Sequence, residues 1–408
     1  MNYTYTNPLS ITSQFSFCGL PFRLDTYAGC AVGCRYCFAR IRGGNIQSKK
    51  IKIANPEVII KRFENGLKNE NSGIISEFIK KRVPVHFGGM SDPFQSLESK
   101  YKVTYKVLKY LKSIDYPVII STKSDLIGEE KYQELFKGFK SLVIQISLST
   151  LDSVKSKILE PNSPEPSILL ECIKNLSANN INVTLRWQPY ILDVSEEIGY
   201  FVDRVKDTGL KHIGFEHLKL PVEKNHDIED KYFQITDNSI YKLYKEKGAV
   251  LSGREFVLPV DVKIKNIKKL IESLKNTSIS IGFGDNEFQY LSTYSCCCSG
   301  VDMFDGFENW YKPQISHAIR KAYLNNDEEI KISGIENEWN SNGSIDKFVN
   351  SKSRISKKDL PNTMYDYVLN RWNDLDSLFN PTQYYNVEFA DKLDSNGNKI
   401  YRFGNQNV

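Results

Sequence analysis

From about residue 22 to residue 285, short runs rich in β-branched residues alternate with longer stretches of helical period. That alternation constrains the fold more than any other feature of the chain. The strand candidates are Phe22–Tyr27, Val83–Phe87, Val118–Ser121, Leu142–Leu148, Val183–Gln188, His212–His217 and Ser278–Phe283. Between them the helical period predicts helices over Glu57–Asn69, Tyr101–Ser113, Glu129–Gly138, Pro166–Asn179, Ser195–Asp207 and Ile264–Lys275. Strands of this length separated by helices imply βαβ units and a parallel sheet. Six or more such units in one domain predict an α/β fold, a closed or partial (β/α) barrel, whose chemistry gathers at the carboxyl ends of the strands.

The rest of the chain is arranged around that unit. Residues 1–21 read as an N-terminal extension and 22–285 as the barrel. The segment 221–262, around His226, Tyr232 and Tyr244, reads as an insertion or lid. Residues 286–408 read as a small C-terminal domain with helices over Ser316–Leu324 and Met364–Leu378, and Glu338–Ser353 as an Asn/Ser/Gly-rich loop. With 408 residues, 40% apolar and 25% charged, the chain is long enough for a large core and has a globular composition. No run of about 18 apolar residues is present, so no membrane span is expected. The opening residues Met1–Thr6 carry neither a basic cluster nor an apolar core, so no signal peptide is expected and the cytoplasm is the expected compartment.

Six of the eight cysteines fall in two tight groups, Cys30/Cys34/Cys37 and Cys296/Cys297/Cys298. In a reducing cell such grouping points to metal or redox work rather than to disulfides. Cys172, in an apolar-periodic stretch, reads as a small core residue. The first group, C-x3-C-x2-C with Tyr36 just before the last cysteine, begins three residues after the first strand candidate. A cubane iron–sulfur cluster has four irons and ordinarily takes four thiolates, so three close ligands leave one iron open to an outside molecule. The rival reading is a structural zinc knuckle. Zinc of that kind wants a fourth closed ligand, and no second C-x2-C or nearby histidine supplies it.

Several motifs then stand at strand ends: Gly88-Gly89-Met90-Ser91-Asp92 leading into Pro93-Phe94-Gln95, Ser121-Thr-Lys-Ser124, and Ser147-Leu-Ser-Thr-Leu-Asp152 followed by Leu159-Glu-Pro-Asn-Ser-Pro164. With the cysteine spacing, in this order, they resemble the radical S-adenosylmethionine enzymes, and within them the spore photoproduct lyase-like branch. The resemblance covers roughly residues 18 to 220 and the cysteine run near 296. It implies that Cys30, Cys34 and Cys37 hold a [4Fe–4S] cluster. Its open iron would take the amino and carboxylate groups of S-adenosylmethionine. Reductive cleavage would then give methionine and a 5′-deoxyadenosyl radical that abstracts hydrogen from a substrate, as in enzymes of lyase or transferase type. A reductant protein such as flavodoxin or ferredoxin is implied as partner.

The candidate cofactor-binding residues follow. Gly88 and Gly89 would let backbone approach the ligand. Ser147, Ser149 and Arg186 are candidates for the methionine carboxylate or the ribose, arginine being suited to bidentate carboxylate contacts. Tyr36, Met90 and Asp92 complete the set, with packing for Tyr36 and turn capping for Asp92 as the rival readings. True photoproduct lyases carry a hydrogen-returning cysteine beside the second-strand Asp-Pro. Here the neighbouring positions are Gly89 and Met90, so a substrate other than the spore lesion is expected. Cys296, Cys297 and Cys298 are the candidate catalytic thiols, or with Cys18 a candidate second metal or cluster site. A net charge of +5 and a pI near 8.5 are compatible with a nucleic-acid substrate and do not establish one. The rival from another class is a zinc-stabilised nucleic-acid-binding module without catalysis.

Overall fold

The structure is a computed structural model, and it describes residues 3–12, 17–40, 50–68, 73–222, 229–230, 234–253, 255–294, 298–307, 310–339, 363–377 and 379–404. Fifteen strands occur among them. They are β1 (Leu9–Ile11), β2 (Phe22–Leu24), β3 (Tyr27–Ala28), β4 (Lys52–Ile53), β5 (Val85–Phe87), β6 (Val118–Thr122), β7 (Leu142–Ser147), β8 (Asn182–Tyr190), β9 (His212–His217), β10 (Leu220–Pro221), β11 (Val250–Ser252), β12 (Glu255–Val257), β13 (Ser280–Phe283), β14 (Val387–Leu393) and β15 (Lys399–Phe403).

One eight-stranded sheet runs β1-β2-β5-β6-β7-β8-β9-β13. From β2 to β13 every pairing is parallel; β1 joins β2 antiparallel as the edge. The order follows the chain, and right-handed crossovers then put all the connecting helices on one face. The apolar stripes of those helices supply Ile59, Phe63, Val107, Leu108, Leu111, Ile173, Leu176, Phe201, Val202, Ile267 and Leu270 to the main core. The strands meet them with Val85, Phe87, Val118, Ile120, Ile144, Ile146, Leu185, Trp187, Ile213 and Phe215. Cys172 lies in this core, as expected. The sheet is an open, partial (β/α) barrel, in agreement with the sequence reading.

Strand alternation turns the intervening residues to the other, inner face. Near the amino ends that face is apolar: Ile119 and Val143 pack with Leu20, Val301, Phe304, Phe307 and Tyr311. The segment after the second cysteine run therefore fills the floor of the barrel. Toward the carboxyl ends the inner face becomes polar, with His86, Ser121, Gln145, Ser147 and Arg186.

Outside the barrel, β10, β12 and β11 form a small antiparallel sheet from residues 220–257, at the expected insertion, where Tyr244 is buried in the helix Ile240–Glu246. His226 and Tyr232 lie outside the described residues. In the C-terminal part the helix Ile315–Asn325, the helix Met364–Asn373 and the β14–β15 hairpin build a separate core around Trp372 and Tyr401. The second of these helices ends at Asn373 rather than Leu378, where Asp374 leaves helical conformation. Most of Glu338–Ser353 lies outside the described residues.

Candidate functional site

The loop that carries Cys30, Cys34 and Cys37 leaves the carboxyl end of β2 and passes through β3. It turns at Gly29 (φ +104°) and Gly33 (φ +71°), conformations that glycine adopts without a side-chain penalty. Two other segments grip it. Gln95 accepts from the Ala31 N–H at 2.8 Å and donates to the Gly29 carbonyl at 3.0 Å. From the far side, Asn162 donates its side-chain N–H to the Ala31 carbonyl at 2.8 Å, and the Arg35 N–H donates to the Leu159 carbonyl at 2.8 Å. The motifs Ser91–Gln95 and Leu159–Pro164 thus act as two clamps on one loop.

All three cysteines are half-buried. Burial pushes the Cys30 thiol up to about 12; the Asp92 carboxylate and Cys37 add to the rise, and the N–H groups of Asp92 and Val32 oppose it. The Asp92 N–H points at Cys30 Sγ over 3.4 Å. Cys34 is raised well above its ordinary value, by burial first, with Lys123 opposing and Glu160, Cys37 and Cys30 adding. Buried thiols of this kind give up their protons to a metal, whose charge outweighs the burial. Three thiols carried on one loop are the donor set that a cubane takes on three of its four irons.

The glycine-rich turn after β5 is fixed from below. Asp25 accepts from the N–H groups of Met90 (2.9 Å) and Ser91 (3.1 Å), and Ser91 Oγ donates to the Tyr27 carbonyl at 2.5 Å. Burial raises Asp25 to about 6 against these hydrogen bonds and the Arg23 charge. Asp92 is a structural hub. Its oxygens accept from the Phe94 N–H (2.8 Å), Thr122 Oγ1 (2.8 Å) and the Lys123 N–H (2.7 Å), joining the ends of β5 and β6. At Gly89 a Cβ would stand 2.7 Å from Arg23 Cδ, whose guanidinium reaches the Met90 sulfur at 3.9 Å. The space beside each glycine is filled by neighbouring protein atoms.

A second hub lies beside the cysteine loop. Glu160, 1% exposed, accepts on the same oxygen from Ser149 Oγ (2.6 Å), Lys123 Nζ (2.9 Å) and the Tyr36 hydroxyl. Lys123 Nζ also stands 5.7 Å from the centre of the Tyr36 ring. Lys123 and Glu160 stand in the quoted motifs, yet sequence reasoning gave them no role. The signal was present: a carboxylate between Leu159 and Pro161, and a lysine directly after a strand.

Arg186 sits opposite Ser147 in the β7–β8 register, on the inner face. It donates through Nε to Gln188. Its charge and that of Arg23 act, after burial, to lower His86 well below the ordinary histidine value. Arg186 belongs to this inner group; the cation that acts on Cys34 is Lys123. The second cysteine run is represented by Cys298, whose carbonyl accepts from His212 Nε2 at 3.2 Å and would lie 2.5 Å from a Cβ at Gly214. Burial raises the Cys18 thiol, with Arg23 opposing most strongly and Cys298 adding; Cys18 packs against the cluster of Leu20, Val301, Phe304 and Tyr311, which brings its segment to the one that follows Cys298. Cys296 and Cys297 lie outside the described residues. No described helix is long and apolar enough to cross a membrane.

No protein-family model matches the chain. It is 25% identical over 263 residues to an uncharacterized protein of Methanocaldococcus jannaschii, covering 64% of this chain and 91% of that protein. An uncharacterized protein of Mycobacterium tuberculosis is 22% identical over 189 residues, 43% of this chain and 52% of its own length. The chain thus spans about half of that relative. Among solved structures, spore photoproduct lyase complexed with dinucleoside spore photoproduct superposes with a TM-score of 0.47 at 12% identity, over 68% of this chain and 76% of that one. Streptococcus suis SuiB bound to S-adenosylmethionine gives 0.37 at 14% identity, over 74% and 68%.

Proposed function

We propose that the chain is a radical S-adenosylmethionine enzyme. One observation carries the reading: three cysteines share a single loop, clamped by Gln95 and Asn162, at the carboxyl end of the first parallel strand, where the barrel's inner face is polar. Cys30, Cys34 and Cys37 would hold a [4Fe–4S] cluster there. When bound, the cluster supplies the electron that cleaves S-adenosylmethionine and yields a 5′-deoxyadenosyl radical for hydrogen abstraction.

The chain's own groups divide the remaining work. Asp92 and Gln95 hold the loop and leave no side-chain oxygen idle. Arg186 commits its Nε to Gln188, and its terminal nitrogens are assigned to a carboxylate or ribose oxygen of the cofactor, with Ser147 opposite it. Ser149 and Tyr36 reach the site through Glu160. Cys298 is the candidate thiol for returning hydrogen, a step that would break its S–H bond, form a C–H bond on the substrate radical and leave a thiyl radical. Nucleic acid is the first choice of substrate, on the motif resemblance and the net charge of +5. A small flavodoxin or ferredoxin is the proposed electron donor, and the cytoplasm the proposed compartment.

Anaerobic reconstitution with ferrous salt and sulfide tests the reading. A brown protein with about four irons and four sulfides per chain, releasing 5′-deoxyadenosine from S-adenosylmethionine once reduced, is the expected result. One zinc and no labile sulfide would replace this reading with the zinc-stabilised module.

A further inference from the structure

Glu160 is a buried carboxylate that faces a cation and two hydroxyls at the edge of the cysteine loop, and all three donate to one of its oxygens. It cannot wander. Leu159, the residue before it, accepts from the Arg35 N–H, and Asn162, two residues on, donates to Ala31. Tyr36, whose ring lies under Lys123 and whose hydroxyl donates to Glu160, stands between Cys34 and Cys37 in the chain, so the pair is held against the segment that carries the thiols. With Lys123 at 13% side-chain exposure and Glu160 at 1%, solvent screens neither charge well.

We propose that Glu160 is a positioning residue that sets the reduction potential of the cluster, by cancelling the Lys123 charge beside Cys34 and fixing the Tyr36 and Ser149 hydroxyls. The inference rests on the cluster assignment made above. A cluster's potential follows the net charge and hydrogen bonding around its sulfurs. An uncompensated lysine favours the reduced, more negative cluster and makes it a weaker electron donor. Glu160 removes that bias while leaving the lysine in place as a donor. The role assigned to the pair is exercised through the cluster.

The experiment is redox titration of the reconstituted protein, followed by electron paramagnetic resonance of the reduced cluster, in wild type, Glu160→Gln, Lys123→Met and the double variant. Glu160→Gln keeps a carbonyl oxygen for Tyr36 and Ser149 and removes only the charge. Its midpoint is expected to move to more positive potential, that of Lys123→Met to more negative potential, and the double variant to return toward wild type. Unchanged midpoints in variants that load iron and sulfide fully would overturn the proposal. So would failure of both single variants to load, since the pair would then be a mere support for the loop. If only Glu160→Gln fails to load, the sign of the Lys123→Met shift decides. A wild-type protein that takes up no cluster would instead refute the cluster assignment.

Discussion

Gly88 stands so close to Ser121 that a Cβ on the glycine would lie 2.2 Å from the serine carbonyl oxygen, with φ at +88°. The tight contact locks the turn after β5 against the end of β6, and it is this turn that carries Asp92 to Cys30. Strand packing alone is enough to demand glycine here.

Gly88→Ala is therefore expected to destabilise by more than about 3 kcal/mol, a strained backbone of about 1–3 kcal/mol plus a clash with main chain that cannot move aside. Gly73→Ala is the control. Its φ is +103° and nothing lies within 4 Å of the added carbon, so it should cost only the backbone strain. Thermal or urea unfolding of both variants checks the difference.

Asp25 predicts a pH dependence. Its folded value of about 6 lies above the ordinary 3.8, because burial disfavours the charge. The stability it contributes is thus fully present below pH 3.8 and is lost as pH rises through about 6. Asp25→Asn keeps an acceptor for Met90 and Ser91 and abolishes the titration. Each pH unit between the unfolded and folded values is worth about 1.4 kcal/mol, so wild type should lose about 3 kcal/mol relative to that variant between roughly pH 4 and pH 7. A flat difference across that range would contradict the prediction.

Replacing Cys30, Cys34 or Cys37 by serine should each abolish iron binding at the loop, while Cys18→Ser and Cys298→Ser should retain it. Iron and sulfide assays on the five proteins read this directly. In the last variant cofactor cleavage should persist, and only a product that needs returned hydrogen should be lost.

Gln95→Ala should release the cysteine loop from one of its clamps. Two hydrogen bonds to Gly29 and Ala31 disappear from a side chain that is 2% exposed, a loss of about 2 kcal/mol. Faster proteolysis near residue 30 and slower cluster uptake are expected, with the thermal midpoint of the barrel shifted by only a few degrees.

The barrel was legible in the sequence wherever its strands had strong contrast with their flanks. His212–His217 is found with the predicted bounds, and the helices over residues 103–113 and 166–178 lie within a few residues of expectation. The helix Ile74–Lys80 was not predicted. It is seven residues long and buries Ile74, Ile75, Ser76, Phe78 and Ile79, so apolar residues fall nearly all round and leave no period to read. The helix Ser153–Leu159 was missed because its start is fixed by Asp152, whose side chain accepts from Val154 and Lys155, and Asp152 reads equally well as a turn residue.

The site divides in the same way. Spacing exposed the cysteines because their three positions are neighbours in the chain. The partners of Glu160 come from residues 36, 123 and 149, so no local pattern announces them. Likewise Cys18 comes to the Val301–Tyr311 segment only because that segment folds back under the sheet.

Val301, Phe304, Phe307 and Tyr311 pack against Ile119 and Val143, so apolar side chains back the amino-end half of the sheet's inner face. A polar substitution among these four would loosen the strands from below, and the cysteine loop, hung from the opposite ends of those strands, would lose its anchorage without being touched.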